Sequence, residues 1–112
     1  MITLCSRPVI EPDPHGRWHL VLWAGDAFDF TIPFRAMLAD IVVLLNEKAS
    51  AVMELPAYQE GEDFVEGTLR FGNETFRTYY EHSLAYLELI SDKEEALQDV
   101  ATCIHRHILV AS

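Results

Sequence analysis

Between Asp63 and Ser91 the chain alternates apolar and polar side chains with a period of two, the signature of strands with one buried face. Gly72-Asn73 interrupts the alternation as a two-residue hairpin turn, with glycine where a primed turn needs a positive φ. With those residues as the loop, Phe71 faces Glu74, Leu69 faces Phe76, Gly67 faces Thr78 and Val65 faces Tyr80. Val65, Leu69, Phe71 and Phe76 then share an inner face, while Glu66, Thr68, Arg70, Thr75, Arg77 and Tyr79 share the outer one. A slip of one residue would mix the two sets, so the register is specified. A second turn near Glu81-His82 adds a third strand, with Ala85, Leu87 and Leu89 inward and Leu84, Tyr86 and Glu88 outward. In that pairing Leu84 lies beside Tyr79, and Tyr86 beside Arg77.

Upstream, Ile2 to Leu4 reads as an opening strand ended by Pro8 and the breaker-rich loop Glu11 to Gly16. Arg17 to Ala24 reads as a strand, turned by Gly25-Asp26 into a second one over Phe28 to Ile32. That hairpin sets Trp23 opposite Phe28, Val21 opposite Phe30 and His19 opposite Ile32, a face expected to point into the core. Its other face carries Trp18, Leu20, Leu22, Asp29 and Thr31, too apolar to be fully wet, so cover by the N-terminal strand or by a second copy of the chain is expected.

Pro33 suits the first turn of a helix. Phe34, Met37, Leu38, Ile41, Val42 and Leu45 follow at helical spacing and predict a helix over about 33–48, with Arg35, Ala39, Asp40 and Val43 outward. Ser50 to Leu55 reads as a short strand with Val52 buried, stopped by Pro56. Ser91-Asp92-Lys93-Glu94 has the form of a capping box opening a second helix over about 92–109, whose stripe is Leu97, Val100, Ala101, Ile104 and Ile108. The pattern predicts one α+β domain over 1–112. It is a two-layer sandwich in which an antiparallel sheet of about six to seven strands carries both helices on its apolar face.

Composition narrows the class of partner. Half of the 112 residues are hydrophobic and 11% aromatic, a globular balance with enough core for one domain. Eight basic and 18 acidic residues leave a net charge of −10, which argues against nucleic acid and anionic membranes and fits either plain solubility or a basic partner, solubility being the simpler reading. The longest apolar run, Ile41 to Leu45, is too short to span a bilayer, and MITLCSRPVI lacks the form of a signal peptide, so a cytoplasmic location is expected. Cys5 and Cys103, without a motif, are expected to be reduced and buried. Asn73-Glu74-Thr75 fits the glycosylation sequon but reads as a hairpin turn.

No catalytic constellation emerges. His105 and His107 are two apart and would diverge by about 200° on a helix, so they cannot share a metal. Cys103 and His107 share a helical face but lack a third group or an oxyanion motif. Glu60, Glu62 and Asp63 surround Gly61 without the pattern of a calcium loop and read as solvated, ordinarily ionised groups. His82 reads as a solvated turn residue. The expectation is a non-enzyme without cofactor or metal.

The outer face of the 64–90 meander is the candidate site: Glu66, Arg70, Arg77, Tyr79, Leu84 and Tyr86. Tyrosine and arginine are enriched in binding hot spots because they combine large contact area with directed polar tips. The resulting expectation is a small acidic protein-binding module, of adaptor or immunity/inhibitor type, docking a protein through that face. The alternative is a homo-oligomeric small-ligand-binding protein or an enzyme of unassigned reaction, with a homodimer formed through Trp18, Leu20 and Leu22.

Overall fold

The computed structural model describes residues 1–111. Its elements run β1 (Ile2–Leu4), β2 (Val9–Pro12), β3 (Trp18–Trp23), α1 (Phe34–Asn46), β4 (Ala51–Glu54), β5 (Phe64–Phe71), β6 (Glu74–Glu81), β7 (Tyr86–Ser91), α2 (Glu94–Ile104) and β8 (Ile108–Val110). Six strands form an antiparallel sheet in the order β2-β3-β7-β6-β5-β4, and β1 and β8 pair in parallel as a separate ribbon. This is an α+β fold. The helices bury Phe34, Leu38, Ile41, Leu45, Leu97, Val100 and Ile104 in the same core as the inner sheet residues Leu20, Leu69, Phe76, Leu87 and Leu89.

The β5–β6 hairpin has the register that its turn predicts. Gly72 adopts φ +60°, and Phe71↔Glu74, Leu69↔Phe76, Gly67↔Thr78 and Val65↔Tyr80 pair across it. The β6–β7 connection departs from expectation. It is a four-residue loop, His82 to Ala85, in which Ala85 takes φ +58°. Tyr79 therefore faces Glu88 rather than Leu84, and Arg77 faces Ile90 rather than Tyr86. The displacement is four residues, an even number, so the assignment of inner and outer faces survives.

Strand β3 corrects a larger expectation. Residues 28–32 form no strand; the segment after β3 is tied instead to the β6–β7 loop, with the amides of Ala24 and Phe28 donating to the carbonyls of Ala85 and His82, each at 2.9 Å. Strand β3 pairs with β2 and β7, and it sits the other way round. Leu20 and Leu22 are fully buried under the helices, whereas Trp23, Phe28 and Phe30 are exposed. A twofold contact through Trp18, Leu20 and Leu22 would have to use residues already consumed by the chain's own core.

Further corrections are local. Val9–Pro12 is an edge strand that takes in Glu11 and Pro12 from the expected loop, since a proline at the end of an edge removes no needed ladder bond. In β4 it is Ala51 and Met53 that pair with Phe71 and Leu69, so Val52 points outward beside Arg70. Helix α1 is shorter than 33–48, with Pro33 immediately before it. The capping box does not form: Ser91 ends β7, its hydroxyl accepts from the Lys93 amide at 3.1 Å, and Glu94 accepts from Gln98 instead. Helix α2 stops at Ile104; His105–His107 is a 3-10 turn, and Ile108 belongs to a strand beside Ile2. Both cysteines are free, Cys5 exposed and Cys103 half-buried.

Candidate functional site

Because the helices cover only one side of the sheet, the outer face of β3, β7, β6 and β5 remains open. Trp23 pairs with Tyr86 across β3 and β7, and their rings lie 5.3 Å apart. Tyr86 is 5.8 Å from Tyr79 on β6, and Tyr79 is 6.1 Å from Phe64 on β5. Four rings from four strands thus form one row across the sheet, with Tyr79 stepped two residues out of line. Its ends are the most open: Phe64 is 59% exposed and Trp23 39%. Centroid spacings of 5–6 Å lie in the range where aromatic pairs attract beyond simple burial.

Charges flank the row. Glu66 pairs with Tyr79 across β5 and β6 and lies 3.7 Å from Arg77. The Tyr79 hydroxyl donates to Glu81, whose other oxygen accepts from Ser83 at 2.6 Å. Burial, then the Glu81 carboxylate, pushes the Tyr79 phenol above its ordinary range; burial, then Glu88 and Glu81, pushes Tyr86 up to about 12. Both tyrosines therefore present neutral hydroxyls at physiological pH.

His19 sits at the edge of this face between two carboxylates. Its Nε2 is 2.7 Å from Asp13 Oδ2 and its Nδ1 2.9 Å from Glu88 Oε2. A carboxylate only accepts, so both ring nitrogens donate and the ring is an imidazolium. Burial opposes that charge, but the hydrogen bonds to Asp13 and Glu88 outweigh it and raise the His19 pKa above its ordinary value. The same hydrogen bond from His19 holds the Asp13 carboxyl well below the usual range. Arg17 adds a further contact to Asp13 at 3.3 Å. Between His19, Arg77, Tyr79, Tyr86 and Glu88 the face dips into a shallow hollow of about 260 Å³.

Of the expected site residues, the structure gathers Glu66, Arg77, Tyr79 and Tyr86 around that hollow. Arg70 lies further along the sheet, beside Val52 and Thr75. Leu84 is in the β6–β7 loop, outside the strand rows. Sequence reasoning missed Trp23 and His19, assigned to the core, and Phe64, assigned nowhere. His19 held the signal. In a strand with apolar residues on both faces, the one titratable side chain marks the face nearer water.

Glu62 likewise is not a free loop carboxylate. Arg35 on α1 grips it through Nε at 3.1 Å and Nη2 at 3.0 Å, and the Tyr80 hydroxyl donates to it. The Arg35 guanidinium, more than any other neighbour, depresses the Glu62 pKa to about 2. Among the described residues no three His, Cys, Asp or Glu side chains are grouped to hold a metal ion. No helix among them is long and apolar enough to cross a membrane. Compared with known proteins, the chain matches no family model, no curated protein and no solved structure.

Proposed function

We propose that this chain is a protein-binding module that docks a basic partner through the outer face of β3, β7, β6 and β5. The observation that carries the reading is the row Phe64, Tyr79, Tyr86 and Trp23, exposed at both ends and bordered by carboxylates. Open aromatic rings are retained at a cost in solubility, and a contiguous patch of them is a feature of interaction surfaces. Glu66, Glu81 and Glu88 stand within the same rows, so a lysine or arginine side chain of the partner can lie over a ring while its head meets a carboxylate. The chain's net charge of −10 steers such a partner in.

The hollow supports a hot spot rather than a reactive centre. Its tyrosines are held neutral, and its histidine has both nitrogens engaged, so neither nitrogen is free to act as a base. The testing pair is Arg77→Ala and Tyr86→Ala. Each is expected to weaken partner binding by about tenfold or more while the far-ultraviolet circular dichroism stays unchanged. Association rate should also fall as salt rises. Unchanged affinity in both variants sinks the docking face; unchanged association kinetics across salt sinks its electrostatic part.

A further inference from the structure

In line between Tyr86 and Phe64 on the outer face stands a carboxylate. Glu81 on β6 pairs with Phe64 on β5 and with Tyr86 on β7, and Tyr86 pairs in turn with Trp23. Cross-strand partners point to the same face of a sheet, as do residues two apart on one strand, so Glu81 shares the face of Phe64, Tyr86 and Tyr79. Phe64 is exposed, while Glu81, Tyr79 and Tyr86 are half-buried.

This carboxylate is held in place by neutral donors. Its Oε1 accepts from the Tyr79 hydroxyl and its Oε2 from the Ser83 hydroxyl at 2.6 Å. An ionised carboxylate can accept at roughly four positions, so about two remain open on Glu81.

No cation meets it. Among the described residues Glu81 forms no ion pair, and neither does its neighbour Asp63, whose Oδ1 accepts from the Ser83 amide at 2.8 Å. Two residues along, Glu66 and Glu88 flank Tyr79, and each already has its cation: Arg77 at 3.7 Å and His19 at 2.9 Å. The uncompensated negative charge of this part of the face therefore sits with Glu81 and Asp63, beside the rings. A carboxylate half-buried beside rings attracts a cation more strongly than one in open water. The rings also select among cations. A planar, weakly hydrated guanidinium can lie on an aromatic face while giving two N–H groups to a carboxylate, whereas an ammonium is compact and keeps its water.

We infer that Glu81 seats an arginine side chain of the partner protein, its guanidinium donating two N–H groups to the carboxylate and lying against Tyr86 and Phe64. The inference rests on the docking role proposed for this face, and it narrows the basic partner to one that presents an arginine there rather than a lysine.

The test is a titration of the ¹⁵N-labelled full chain with N-acetyl-arginine N-methylamide, which presents the side chain as a residue within a protein does. Saturable amide shifts are expected at Phe64, Glu81 and Tyr86, with a dissociation constant of about 5 mM or tighter. The lysine counterpart should bind about fivefold more weakly, and the citrulline counterpart, which keeps the shape and removes the charge, should not saturate. Glu81→Gln keeps the size of the side chain and should weaken arginine binding about tenfold or more with the far-ultraviolet circular dichroism unchanged. Phe64→Leu, at an exposed position, should shrink the advantage of arginine over lysine to about twofold or less. Non-saturating shifts with the arginine compound, equal binding of the arginine and citrulline compounds or of the arginine and lysine compounds, or undiminished binding to Glu81→Gln would each overturn the inference. These titrations contain no partner, so they judge the arginine seat apart from the docking face, which Arg77→Ala and Tyr86→Ala judge with the partner present.

Discussion

Trp23 and Tyr86 face each other across β3 and β7 with their rings 5.3 Å apart on the open side of the sheet, while the next residue along, Leu22, is fully buried on the other side. Adjacent apolar residues therefore do opposite work. Leu22→Ala removes atoms from a packed core and should cost about 2–5 kcal/mol in denaturant unfolding. Trp23→Ala gives up chiefly one ring pair and should cost about 1 kcal/mol. Equal losses would contradict the orientation of β3.

Inside the sheet, Thr78 is buried opposite Gly67, and its hydroxyl oxygen has no hydrogen-bond partner. Thr78→Val keeps the branched shape and removes the unmet polar group. It should stabilise the fold by about 1 kcal/mol, read as a higher denaturant midpoint with an unchanged m-value.

Gly67 admits no side chain. A Cβ there would lie 2.5 Å from the Glu54 carbonyl oxygen and 2.5 Å from Leu55 Cδ2, so backbone at the end of β4 would have to move. Gly67→Ala should destabilise by about 1–3 kcal/mol. The loss should persist in the Thr78→Val background, because the backbone clash remains.

His19 gives stability a pH dependence of definite sign. Its pKa is raised in the folded state, so its contribution is complete below the unfolded value of about 6.5 and is lost as pH rises through the folded value. Asp13, whose pKa is lowered, contributes above its unfolded value of about 3.9, and that contribution is lost as pH falls. The cluster is most stabilising in the window between those two unfolded values. Melting temperature measured across pH should fall on the alkaline side of this window in the native chain. In His19→Gln that step should be missing; an identical pH profile would remove His19 as its source.

Some local signals are legible in the sequence, while the β6–β7 loop, the first turn of α2 and the distant pairings are not. The Gly72-Asn73 turn binds its own register, since two residues determine both the loop and the twist of its strands. The helices were legible from Phe34 to Leu45 and from Leu97 to Ile104 because their stripes are continuous. The end of α2 was not, for Ile108–Val110 leaves the helix to pair with β1 at the far end of the chain. Nothing local announces that partner. The facing of β3 is not legible in its own sequence, because both of its faces are apolar and residues 28–32 form no strand to pair with it. For the site, alternation alone placed Glu66, Arg77, Tyr79 and Tyr86 on one face. The row they belong to required the β3–β7 pairing, which joins residues more than sixty positions apart.

The docking face is tested most directly by placing a photo-cross-linking phenylalanine analogue at Phe64, at one end of the aromatic row, and separately at Val43, which is 64% exposed on α1. On irradiation in cells, position 64 should yield one discrete adduct with a different protein and position 43 none. Trp23→Ala should abolish the adduct without unfolding the chain. No adduct from position 64, equal adducts from both positions, or an adduct only with a second copy of this chain would contradict the account.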